Sequence, residues 1–202
     1  MKVLVDTDAF CKLGLAGLLT DALASFGASL TDCERLPALP HMLRRGSVPR
    51  RFGKDHCEHL IEAANAMPAL QSSASLWLDR FLPVPDIDPG EAQLFATAAD
   101  QKLHVLSGDK RALRAVSKVE GAAQALAGLV VPLEAVLIAL HGSIGADKLR
   151  SRVAPLRSLD TTVGICFSEG NADPLSALWS YYGSLASEVE PLTLWRPPSS
   201  TT

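Results

Sequence analysis

With 202 residues, 48% of them hydrophobic and 20% charged, the chain can bury a sizeable core, which excludes a disordered or fibrous protein. A formal net charge of −3 excludes indiscriminate adhesion to polyanions, so any nucleic-acid role must rest on a local basic patch. Four scattered cysteines (Cys11, Cys33, Cys57 and Cys166) without a CxxC pair, no run of the ~20 apolar residues that a membrane helix needs, and no secretory leader after Lys2 predict a cytoplasmic protein with reduced thiols and no membrane contact.

Lys2-Val3-Leu4-Val5 is a short apolar run with β-branched residues, stopped by Asp6-Thr7-Asp8, and reads as a buried strand. Residues 9–26 carry Phe10, Leu13, Leu18 and Ala22 at helical spacing, weakened by Gly14 and Gly17. Residues 28–30 predict a second short strand, and Thr31 or Asp32 a cap for a helix with Leu36, Leu39 and Leu43. Between Arg44 and Lys54 stand five basic residues and no acid, interrupted by Gly46, Pro49 and Gly53; this predicts a basic loop.

Two helical stretches follow, at about 55–66 and 71–81, and then a turn-rich connector over 83–89. A helix over 91–101, a strand over 103–106, a helix from Lys110, a strand over 128–132 and a helix over 133–140 complete the series. That alternation predicts an α/β fold with a central parallel sheet over residues 1–141. Residues 142–202 form a helical C-terminal extension in this reading, with helices at 145–158 and 174–187 and a disordered end at 197–202. Tyr181, Tyr182 and Trp195 make this extension a candidate surface for a partner or a homodimer.

The chemistry rests on acids placed where strands end. Asp6 and Asp8 follow the first strand, Asp109 follows the strand over 103–106, and Glu91 starts the helix before it. In an open parallel sheet the carboxyl ends of the strands line the ligand crevice. Each acid also suits helix capping: Asp6 or Asp8 before Ala9, Asp109 before Lys110, and Asp88-Pro89-Gly90-Glu91 as a capping box with Pro at N1. The two readings are compatible, because an acid at a helix start can still face a crevice. Carboxylates gathered there repel one another, and a hard divalent cation such as Mg²⁺ or Mn²⁺ offsets that cost.

Val3-Leu4-Val5-Asp6-Thr7-Asp8 resembles the opening of PIN-domain nucleases. Pro89-Gly90-Glu91-Ala92-Gln93-Leu94 is similar to the helix start that brings an acid into their site, and Val105-Leu106-Ser107-Gly108-Asp109 to their strand-then-Asp motif. The likeness covers about residues 1–140. It implies a three-layer α/β/α sandwich and a metal-dependent endoribonuclease cleaving single-stranded RNA, as the toxin of a toxin–antitoxin pair with an antitoxin protein as partner. Carried over residue by residue, it makes Asp6, Glu91 and Asp109 ligands of Mg²⁺ or Mn²⁺, supported by Asp8. Members often carry another acid after the second strand; the nearest here are Asp32 and Glu34. Leu113 stands a turn after Asp109, where a further acid would be expected.

Arg50 and Arg51 on the basic segment, with Lys110 and Arg111 beside Asp109, are the candidate contacts to an RNA backbone. His56 and His59 lie one turn apart, but no matching ligand pair accompanies them, so an exposed helix start is the better reading. Two other functions compete. A degenerate PIN-like scaffold would bind nucleic acid or protein without turnover. A phosphatase resembling haloacid-dehalogenase-like enzymes would use Asp6 as nucleophile and Asp8 as its acid/base partner.

Overall fold

In the computed structural model, which describes residues 2–71 and 74–198, the sheet consists of β1 (Val3–Val5), β2 (Cys33–Arg35), β3 (His104–Ser107) and β4 (Val130–Pro132). The four strands are all parallel, in the order β2-β1-β3-β4. Val3, Leu4, Val5, Val105, Leu106, Val130 and Val131 are all buried, the unbroken apolar character that parallel strands need when helices pack around them. The chain passes from β1 to one neighbour, β2, and later returns to place β3 on β1's other side. The carboxyl ends of β1 and β3 therefore flank the topological switch point, where open α/β sheets bind ligands.

The helices, in chain order, are α1 (Thr7–Leu15), α2 (Leu19–Ala24), α3 (Leu39–Arg44), α4 (Ser47–Phe52), α5 (Lys54–Ala66), α6 (Leu76–Phe81) and α7 (Pro89–Gln101). They continue with α8 (Lys110–Val116), α9 (Ala122–Ala125), α10 (Leu133–Ile144), α11 (Ala146–Val153), α12 (Thr161–Cys166) and α13 (Pro174–Glu188). This is an α/β fold around an all-parallel sheet, an arrangement compatible with a three-layer sandwich. Among the described residues no helix is long and apolar enough to cross a membrane.

Several sequence expectations are corrected. Residues 28–30 are not a strand: Leu30–Asp32 is a 3-10 turn held by a Ser29–Asp32 capping box, and β2 begins only at Cys33. Serine and aspartate bonded to nearby backbone outcompete strand pairing there. The helix expected over 9–26 divides into α1 and α2, with the break at Gly17. The basic loop is largely helical. Gly46 and Gly53, at φ 92° and 91°, frame α4, whose Pro49 stands in the first turn, where a missing N–H is harmless. Of the helix expected over 71–81 the structure shows α6; Ser72 and Ser73 lie outside the described residues, as does the end of the tail from 199 onward.

Beyond residue 141 the chain continues the same hydrophobic core. Leu149, Val153, Leu156, Val163, Phe167 and Leu178 are fully buried and belong to one cluster with the sheet residues. Both outer strands have chain lying beside them. Arg35 of β2 pairs with Ala69, donating to Pro68 O and accepting from Leu70 N. Gly128 N–H donates to Thr193 O and Trp195 N–H donates to Val130 O at the outer side of β4.

Candidate functional site

At the carboxyl ends of β1 and β3 lies a cavity of about 1100 Å³. Asp6, Asp8, Glu91 and Asp109 all line it, so the acids that are widely separated in sequence share one crevice. Asp32 and Glu34 are not part of its lining. Asp32 caps the turn before β2, and Glu34 pairs with Lys2 at 2.8 Å.

The capping and crevice readings are both realised. Asp6, rather than Asp8, is the N-cap of α1: its Oδ1 accepts from Ala9 N at 2.5 Å. Its Oδ2 accepts from Gly108 N at 2.8 Å, so this buried carboxylate spans the switch point from the end of β1 to the loop after β3. Asp109 caps α8 through Arg111 N and Ala112 N. Asp88 and Glu91 form a reciprocal capping box at α7. Gly108 lets the Asp8 carboxylate come close: a Cβ there would stand 2.7 Å from Asp8 Oδ2 and push that carboxylate aside.

Burial raises the Asp6 carboxyl to about 6, against the pull of its Ala9 hydrogen bond, and Asp8 adds to the rise. Burial likewise raises Glu91 to about 7, with Asp88, Asp109 and Asp6 contributing repulsion. Asp109 behaves differently. Burial alone would raise it, but the Arg111 guanidinium, 3.0 Å away, and two backbone N–H groups hold it below the usual carboxylate range.

The other side of the crevice holds a feature that the motif comparison passes over. Lys12 is only 4% exposed, and its Nζ lies 2.6 Å from both Asp8 Oδ2 and Asp160 Oδ2. Burial alone would lower the ammonium's pKa; the two carboxylates more than reverse this and raise it. Burial also works against ionised Asp160, and Lys12 overrides it, lowering the carboxyl. Arg51 Nη1 approaches Asp8 Oδ1 at 2.8 Å, and Arg51 also donates to Leu159 O. Lys110 turns inward as well, 2.6 Å from buried Glu134 and 2.7 Å from Thr162 Oγ1, with its ammonium over the Tyr181 ring.

Of the four expected RNA contacts, Arg51 and Lys110 are thus tied to groups of the protein itself, and Arg50 donates to Gly46 O and does not line the cavity. Arg51, Lys110 and Arg111 all line it, and Arg111 is likewise tied to the protein, through Asp109. Sequence reading missed Lys12, Glu134, Asp160 and Thr162. A charge inside the apolar run Ala9–Leu13, four residues after an acid, was the available signal for Lys12. Asp160 before Thr161-Thr162-Val163 is an N-cap pattern that also marks the start of α12.

Among the described residues, no three His, Cys, Asp or Glu side chains converge as a metal site requires. Asp8 and Asp109 turn toward cations of the protein, and Glu91 toward the Asp88 N–H. Asp6, Glu91 and Asp109 supply hard oxygen donors of the type a divalent ion takes, but as arranged they do not form a ligand set. Comparison with family models, with curated proteins and with solved structures finds no match for this chain.

Proposed function

We propose that the chain is a metal-dependent endoribonuclease with a PIN-like site, acting on single-stranded RNA through Asp6, Glu91 and Asp109. The observation that supports this reading is that all three acids line one cavity at the β1–β3 switch point. Asp6 is fixed by its two backbone donors, and Glu91 and Asp109 line the same crevice. Mg²⁺ or Mn²⁺ bound there would supply a water of lowered pKa and stabilise charge on the scissile phosphate. Lys12, shared with Asp160, and Arg51 together neutralise Asp8, which would otherwise repel a phosphodiester. The toxin role and an antitoxin partner belong to this reading as its biological extension.

A second reading is favoured by Lys12 and Arg111. Two of the four acids already have cationic partners, as in a scaffold that binds RNA without cleaving it. The test is cleavage of a labelled single-stranded RNA by wild type and Asp6→Asn in Mn²⁺, Mg²⁺ or EDTA, alongside a Mn²⁺ thermal-shift titration. Metal-dependent cleavage lost in the variant, with a Mn²⁺ stabilisation lost in parallel, is the expected result. RNA binding with neither cleavage nor a metal-induced shift would overturn the nuclease in favour of the scaffold.

A further inference from the structure

A second cavity, of about 640 Å³, lies behind α8, and four cations border it: Arg80, Arg111, Arg114 and Lys118. Asp86 is the single acid in its lining. Its remaining wall is apolar, from Val84, Pro85, Ala115 and Val119. Asp109 and Glu188 pair with two of the four cations, so with Asp86 the pocket keeps a surplus of one positive charge in a chain of net charge −3.

The three guanidiniums are held in place before any ligand arrives. Arg80 packs over the Trp77 ring at 5.0 Å and donates to Glu120 O. Arg114 is paired with Glu188 through Nε and Nη2, and Arg111 with Asp109 through Nη2. Each anchor uses part of a planar, multi-donor group and leaves further N–H donors for a phosphate, at reduced entropic cost. Arg111 also borders the acid-lined crevice, so the two cavities share one side chain as a common wall.

The geometry points to a binding track for a single-stranded polynucleotide, in which this pocket holds backbone phosphates of nucleotides adjoining the bond in the acid crevice. This inference rests on the nuclease reading for the direction of the track, but its pocket is separately testable. Phosphates pair with the guanidiniums, and the apolar wall accepts the uncharged faces of sugar or base. A mononucleotide reaches one cavity only; a strand passing Arg111 reaches both.

The experiment is fluorescence anisotropy with a roughly twelve-nucleotide single-stranded RNA in EDTA, a length in the range that single-strand grooves occupy. Wild type is compared with Arg80→Gln/Lys118→Gln and with Asp86→Asn, across a salt series. The double variant is expected to bind about tenfold more weakly, with a log–log salt slope shallower by about 1.4, roughly 0.7 for each cation removed. Asp86→Asn is expected to bind severalfold more tightly, a gain that a misfolded protein would not show. Unchanged affinity and slope in both variants would overturn the track. So would inorganic phosphate or a mononucleotide competing as strongly, per molecule, as the RNA. Cleavage in Mn²⁺ is scored separately. Lost binding in the double variant with no wild-type cleavage keeps the track and removes the nuclease, whereas wild-type cleavage with undiminished binding in both variants does the reverse.

Discussion

On one side of the crevice Asp8 and Asp160 share the buried ammonium of Lys12; on the other, Asp6 and Glu91 have backbone N–H groups as partners and repel each other. Both sides contain carboxylates within one cavity, yet the first is neutralised by the fold and the second is left with charge to spare. The difference separates Asp6 from Asp8, which stand only two residues apart in the same motif. A charge that the protein has already compensated stabilises the fold; an uncompensated one is available to a ligand or a proton.

The largest expected effect follows from breaking the compensated side. Lys12→Met leaves Asp8 and Asp160 facing each other across a buried space, and should cost about 3 kcal/mol or more, a fall in Tm of roughly 6–12 °C for a chain of this size. Adding Asp8→Asn and Asp160→Asn should restore most of it. A Lys12→Met protein that melts within a degree or two of wild type would show that the lysine does not hold this corner together.

Asp109 is compensated by Arg111, yet the nuclease reading makes it a ligand, so Asp109→Asn should reduce metal-dependent cleavage by on the order of 10²–10³. Its cost in stability should be small, because asparagine caps helices about as well as aspartate. Retained cleavage by the folded variant would remove Asp109 from the chemistry.

The two sides also respond oppositely to acid. Asp6 and Glu91 titrate above their unfolded values, so the folded chain holds protons that the unfolded chain has released. Their contribution to stability is therefore full below about pH 4 and is lost as pH rises through about 6 and 7. Asp160 and Asp109 titrate below their ordinary values; their contribution is present above that range and is lost as pH falls through it. Burial lowers His56 and His104, which oppose the Asp6 trend over part of the same window, so the informative quantity is a difference. In EDTA, urea unfolding at pH 5 and pH 8 should show wild type losing roughly 1–2 kcal/mol more than Asp6→Asn between the two, because pH 5 already lies about one unit below the folded Asp6 value and above the unfolded one. Equal losses in the two proteins would mean that Asp6 is not strained by its burial.

The smallest effect is expected at Arg51, whose partly exposed ion pair with Asp8 should contribute under about 1 kcal/mol. A larger loss in Arg51→Gln by the same unfolding measurement would make the arginine part of the buried network rather than its solvent-facing edge.

These two sides also differ in how well the sequence foretold them. Asp6, Glu91 and Asp109 were legible because each stands at a strand end or helix start, where local pattern and chain order suffice. The parallel sheet was legible for the same reason, from apolar runs such as Val3–Val5 and His104–Ser107. The strand at Cys33–Arg35 was not, because Glu34 and Arg35 break its apolar character, and pairing with β1 and Ala69 supplies what composition does not. Lys12–Asp160 was beyond reach: its partners are 148 residues apart, and only tertiary packing brings α12 against α1. The basic segment misled for a local reason, since its glycines mark helix boundaries and not a continuous loop.

The chain segments beside β2 and β4 have a consequence for assembly. A parallel sheet normally ends in backbone donors and acceptors that another chain can pair with. Here Ala69 occupies that position at β2, and Thr193 and Trp195 occupy it at β4. A partner or second copy therefore cannot pair directly with β2 or β4 at these positions. Cutting the chain just before Thr193 would uncover one row of backbone groups and turn a closed border into an adhesive one.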